Sequence, residues 1–140
     1  MKISARNILA GKVSHVLKGA VNSEVEISLS GGEKIVAVIT NESVASLGLA
    51  EGVTACAIVK ANEVIIGKEL NGAKISARNV LSGKTVTIND GAVNSEVVLE
   101  LAGKEKIVAS ITKNSVQALE LVNGDTVSAI IKASNVLIGV

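Results

Sequence analysis

The chain has 140 residues, 48% of them hydrophobic, yet it contains no Phe, Tyr, Trp or Pro. Its 14 basic and 13 acidic residues leave a net charge of +1, without the basic footprint of a protein that neutralises nucleic-acid phosphates. A single cysteine, Cys56, excludes an intrachain disulfide and a cysteine-based zinc site, and no apolar run approaches the ~18–20 residues of a membrane-spanning helix.

The amino-terminal MKISARNILAGK lacks the sustained apolar stretch of a signal peptide, so a soluble, cytoplasmic protein is expected. The same segment shows how the chain is organised. KISARN (2–7) returns at 74–79, GAVNSEV (19–25) at 91–97, EKIVA (33–37) at 105–109 and Lys60-Ala61 as Lys132-Ala133, each without a gap. A unit of this size without disulfide, metal or aromatic core is marginal alone. Copy is therefore expected to pack on copy, and chain on chain.

In chain order, VEISLS (25–30) alternates apolar and polar residues, the period of a half-buried strand. KIVAVIT (34–40) and TACAIVKA (54–61) are apolar and carry β-branched residues, as more deeply buried strands do. EVIIG (63–67) reads as a short closing strand, and Gly19, Gly31, Gly32 and Gly52 mark turns. Between them, Thr40 or Asn41 can cap one short helix over ESVASLGL, repeated as TKNSVQALEL. The expected fold is all-β with one short helix per repeat. It forms a tandem pair of five-stranded, OB-like barrels at 1–68 and 73–140, joined by the polar KELNGA (68–73).

The candidate chemistry lies in the retained motifs. Arg6 and Arg78 are the only arginines, and both stand in S-A-R-N. Ser4 (Ser76) offers a hydroxyl, Ala5 (Ala77) leaves the backbone open, and the arginine presents five N–H donors; Asn7 can bind or lock the turn. Packed donors beside a small residue suit a tetrahedral oxyanion. The plainer reading is a surface arginine at the start of a strand. Lys60-Ala61 and Lys132-Ala133 repeat the logic of charge beside a small residue, against the plainer reading of strand-end lysines reaching water. Thr40 (Thr112), at the start of the short helix, suits either an anion or a simple cap. In GAVNSEV, Asn22 and Ser23 suit an anion, a subunit contact or a structural role.

Catalysis finds no support. The sole histidine, His15, is Thr87 in the second copy, and Cys56 becomes Ser128. Only Glu24/Glu96 and Glu33/Glu105 recur as carboxylates, and no phosphate loop or metal-ligand spacing is present. The motifs supply donors and no carboxylate, which suits a fully deprotonated anion, because the O–H of a protonated anion finds no acceptor in an all-donor site and is costly to bury unpaired.

Taken together and in order, SARN, GAVNSEV, ITNESVASLGL and VKANEVIIG resemble the Mop domain of molybdate-binding proteins, and the tandem pair resembles the di-domain molbindin family over essentially the whole chain. The resemblance implies five-stranded OB-like barrels assembled about a threefold axis, as a homotrimer of di-domain chains. It implies molybdate or tungstate held at interfaces between domains, with no organic cofactor and no metal-ion site. It places the anion on Ser4, Ala5, Arg6, Thr40, Lys60 and Ala61, and on Ser76, Ala77, Arg78, Thr112, Lys132 and Ala133. A second kind of site near the threefold axis would involve Val21, Asn22, Val93 and Asn94. Where the family reads Lys-Ala-Ser, the first copy has Lys60-Ala61-Asn62 and the second keeps Lys132-Ala133-Ser134, so the two sets of sites are expected to differ in affinity.

The expected role is storage or homeostasis of the anion. Alternatives are an oxyanion-sensing module acting on a regulator, or an OB-type nucleic-acid-binding protein. The last lacks the aromatic platforms on which bases stack.

Overall fold

A computed structural model describes all 140 residues. Each repeat runs through four strands, one helix and a short fifth strand. The first contains β1 (Asn7–Lys18), β2 (Asn22–Leu29), β3 (Lys34–Thr40), α1 (Asn41–Ser46), β4 (Thr54–Val59) and β5 (Ile65–Gly67). The second contains β6 (Asn79–Asp90), β7 (Asn94–Leu101), β8 (Lys106–Thr112), α2 (Lys113–Ala118), β9 (Thr126–Ile131) and β10 (Leu137–Gly139). A 3₁₀ turn precedes each last strand, at Ala61–Glu63 and Ala133–Asn135.

The strands lie where alternation and β-branching place them, with one exception per repeat. β1 and β6, the longest, fall outside the segments picked out by pattern. Gly11 and Gly83 interrupt them, and their ladders shift register between Val13 and His15 and between Thr85 and Thr87. Gly11 is needed there, because an added Cβ would run into the Ser28 carbonyl across the ladder.

The two sheets have the orders β10-β4-β1-β2-β3 and β5-β9-β6-β7-β8, all pairs antiparallel. Each repeat thus gives its last strand to the other repeat's sheet. Leu137–Gly139 pairs with Ile58–Cys56, and Ile65–Gly67 with Ile130–Ser128. The segment expected to close the first barrel is a strand, but it closes the second repeat's sheet.

The exchange joins the interiors. A single cluster of 25 buried residues draws on both repeats, from Leu9, Val25, Ile27 and Ile35 to Val97, Leu99, Ile107 and Val136. Aliphatic side chains alone fill it, and each contributes roughly 1.5–3 kcal/mol when fully buried. The hairpin tips also meet across the repeats. Gly31 and Gly103 pack backbone to backbone, the Gly103 N–H donates to Glu33 Oε1 (2.7 Å), and Ser30 Oγ donates to Glu105 Oε1 (2.7 Å). The retained Glu33/Glu105 carboxylates therefore serve the fold.

Candidate functional site

The four letters of S-A-R-N divide their work. Asn7 and Asn79 are 2% exposed, and each carboxamide binds the backbone of a strand in the opposite sheet. Asn7 Nδ2 donates to the Val108 carbonyl (2.9 Å) and its Oδ1 accepts from the Val108 N–H (2.7 Å). Asn79 does the same at Val36, at 2.8 and 2.7 Å. The asparagine therefore locks rather than binds. It presses the preceding Ser-Ala-Arg onto the outer face of the other repeat's strands.

Period-2 alternation decides which residues that face presents. In the second repeat, Val97 and Ala109 point into the core, while Glu96 pairs across the ladder with Ser110 and Asn94 with Thr112. Against these lie Ser4, Ala5 and Arg6 and the 3₁₀ turn that follows Lys60. The result is an open cleft of about 280 Å³ lined by Ser4, Ala5, Arg6, Lys60, Ala61, Asn62, Glu96 and Ser110. A neighbouring groove of about 410 Å³ shares Asn62 and Ser110 and continues to Asn94, Thr112 and Ser115.

The second S-A-R-N makes the matching cleft, about 460 Å³. Ser76, Ala77, Arg78, Lys132, Ala133 and Ser134 line it beside Val38, Ile65, Ile75 and Ile130. Val38 stands where the first cleft has Ser110, and Ser134 where it has Asn62, so the two clefts differ in chemistry.

Most of the first cleft's donors are uncommitted. The backbone N–H groups of Ser4 and Ala5 donate no hydrogen bond within the chain, and neither does either residue in the second copy, Ser76 or Ala77. Lys60 and Lys132 take part in no ion pair. The arginines do. Arg6 Nη1 donates to Glu96 Oε2, and Arg78 Nη1 to Glu24 Oε1. This corrects the expectation of a site without carboxylates: Glu96 of the opposite repeat lines the first cleft, and Glu24 of the opposite repeat holds the arginine of the second. The only sequence signal for it is that Glu24/Glu96 recurs.

The threonines behave differently from the S-A-R-N and Lys-Ala residues. Thr40 caps α1, its Oγ1 accepting from the Ser43 N–H at 3.1 Å, and Thr112 caps α2 in the same way. The threonine beside the Arg6 cleft is Thr112 of the other repeat, reached through the adjoining groove. Val21 and Val93 stand exposed in the turns before β2 and β7, which Asn22 and Asn94 open. Ser23 is buried and donates to Asn41 Oδ1 (2.6 Å), a structural role that Ser95 fills by donating to Asp90 Oδ1 (2.9 Å). The two carboxyls held below their ordinary range, Glu26 by Lys34 and Ser14 and Asp125 by the Val122 N–H and Lys68, line neither cleft.

Comparison with known proteins adds a frame. The TOBE domain model matches residues 3–66 and 75–138. A solved structure of the cytoplasmic molybdate-binding protein ModG, with molybdate bound, superposes with a TM-score of 0.97 at 51% identity, covering 100% of this chain and 99% of that one. The molybdenum-pterin-binding protein MopA of Rhodobacter capsulatus is 41% identical over 138 residues, 99% of this chain and 52% of its own length. The molybdenum transport protein ModE of Herbaspirillum seropedicae is 37% identical over 140 residues, 100% of this chain and 52% of its own. The chain thus spans about half the length of these curated relatives. All three are named for binding or transport rather than for a reaction.

Proposed function

The chain belongs to the TOBE-domain family through both of its repeats, and on that footing we propose that it binds molybdate, or tungstate, in the two S-A-R-N clefts and holds it in the cytoplasm for storage or homeostasis. The observation that carries this reading is the convergence, twice over, of donors the fold leaves unused. In the first cleft these are the Ser4 hydroxyl, the N–H groups of Ser4 and Ala5, the remaining Arg6 donors and the Lys60 ammonium, with Ala61 too small to obstruct them. In the second they are Ser76, Ala77, Arg78 and Lys132 beside Ala133. Charge-assisted hydrogen bonds of this kind are short and about twice as strong as neutral ones. Thr112 would complete the first cleft and Thr40 the second, each from the opposite repeat.

Self-association belongs to the same reading. Two cross-strand rows, Ile8-Ile58-Leu137 and Val80-Ile130-Ile65, run over the outer faces of the sheets. Their end members are 44–58% exposed. Ile65 and Ile130 also line the second cleft. Apolar rows of this size favour contact with further copies, and a homotrimer would cover the clefts and remove the anion from water. Val21, Asn22, Val93 and Asn94 would then face a second class of anion site near the threefold axis.

Calorimetric titration of the purified chain with molybdate and tungstate, with sulfate and phosphate in parallel, tests the proposal. More than one molybdate per chain, bound far more tightly than sulfate or phosphate and weakened in Arg6→Ala/Arg78→Ala, is expected. Equal and feeble heats for all four anions would overturn it.

A further inference from the structure

We infer that Glu96 and Glu24 are resident counter-charges that set the affinity of the two clefts by opposing a doubly charged ligand. The inference rests on the anion-binding reading above. Each glutamate comes from the repeat opposite the arginine it meets: Glu96 on β7 reaches Arg6, and Glu24 on β2 reaches Arg78. Glu24/Glu96 and Glu33/Glu105 are the carboxylates present in both copies. The second pair is spent on the hairpin tips. The first pair has no partner but the arginines.

The contact leaves the guanidinium usable. One nitrogen, Nη1, donates to the glutamate, and the rest of the planar fork remains open to the cleft. An arriving anion therefore need not displace the carboxylate; it must bind beside it. Without ligand, the Arg6 cleft holds two cations and one carboxylate, a net charge of +1. A dianion takes that to −1, where a cleft without Glu96 would go from +2 to neutrality.

Two effects of the glutamate compete. It fixes the arginine's orientation, which favours binding, and it repels the ligand, which opposes binding. Holding one long side chain saves a modest entropy. Repulsion scales with ligand charge and acts over only a few ångströms in a half-exposed site. Repulsion prevails for a dianion. It is half as strong for a monoanion of the same shape, so the glutamates also act on charge selectivity.

The test is Glu24→Gln/Glu96→Gln, titrated beside wild type with molybdate, sulfate and the tetrahedral monoanion perrhenate. Glutamine keeps the size and an acceptor for the arginine while removing the charge. Molybdate and sulfate are expected to bind about three- to tenfold more tightly, and perrhenate only about two- to threefold. Equal or weaker binding of molybdate by the variant, with wild type binding well, would overturn this inference and leave the anion-binding reading standing. Absence of molybdate binding by both proteins would overturn both. If the double variant does not fold, Glu96→Gln and Glu24→Gln separately make the same prediction for one class of cleft each.

Discussion

The Asn7 carboxamide and the Val108 peptide group close a two-bond ring across the repeats, at 2.9 and 2.7 Å, and Asn79 closes its twin on Val36. An asparagine side chain here acts as one residue of a β-ladder. It pairs a donor and an acceptor on β8, and its twin a pair on β3, the edge strands of the two sheets. The ring is buried, so a partner lost is not replaced by water.

Asn7→Ala therefore leaves the Val108 N–H and carbonyl unpaired between the sheets. A loss of about 2–3 kcal/mol is expected, since each buried unsatisfied group costs ~1–3 kcal/mol. Urea unfolding of Asn7→Ala and Asn79→Ala measures it. A change below about 0.5 kcal/mol, the range of ordinary surface substitutions, would show that the rings contribute nothing to holding the repeats together.

The exchanged strands predict the behaviour of half the chain. A fragment of residues 1–72 carries β5 but lacks β10, the strand that edges its own sheet. Two such fragments can satisfy one another by reciprocal exchange, with Ile65–Gly67 of each pairing to the other's β4 as it pairs to β9 in the intact chain. The fragment is expected to run in light scattering as a dimer, or as a hexamer where three such dimers associate as three intact chains would. A stable monomer would mean that the strand folds back on its own repeat without penalty.

That exchange was not legible in the sequence, for a local reason. Ile66-Gly67 and Ile138-Gly139 are the same dipeptide, and each isoleucine meets an alanine, Ala129 or Ala57, with only Ser128 against Cys56 differing opposite the glycine. The two ladders differ only in Leu137 for Ile65 and Cys56 for Ser128, all compatible with a strand, so neither pattern nor propensity prefers one pairing. By contrast, β3 and the Thr40 cap were readable because each is settled within a few residues. The donors of the clefts were readable because S-A-R-N and Lys-Ala are repeated. Glu96 was not, because a carboxylate's meaning lies in what it faces, and what it faces comes from the other repeat.

Acid should weaken the fold at two identifiable places. Hydrogen bonds from Lys34 and Ser14 lower the Glu26 carboxyl, and the Val122 N–H and Lys68 lower that of Asp125. A carboxyl lowered in the folded state contributes stability that is complete above its unfolded value, about 4, and is lost as pH falls through the folded one. Unfolding midpoints are expected to be level from about pH 5 upward and to drop below about pH 4. Glu26→Gln/Asp125→Asn should be less stable than wild type at neutral pH and converge with it in acid. Parallel curves for the two proteins across the whole range would rule these groups out.

The two clefts make the last prediction, because they are written in different residues. Ser110 and Asn62 give the Arg6 cleft a hydroxyl and an amide, whereas Val38 and Ser134 give the Arg78 cleft a methyl surface and one hydroxyl. Each hydrogen bond to a charged ligand is worth about 1.5–3 kcal/mol. The Arg6 cleft, with one polar partner more, should therefore bind molybdate more tightly by roughly tenfold. Titration of wild type is expected to resolve two affinities, with Arg6→Ala removing the tighter and Arg78→Ala the weaker. Exchanging the differing residue, as Ser110→Val/Val38→Ser, should reverse which arginine governs the tight phase. If the order of affinities survives that exchange, the asymmetry resides elsewhere than at positions 38 and 110.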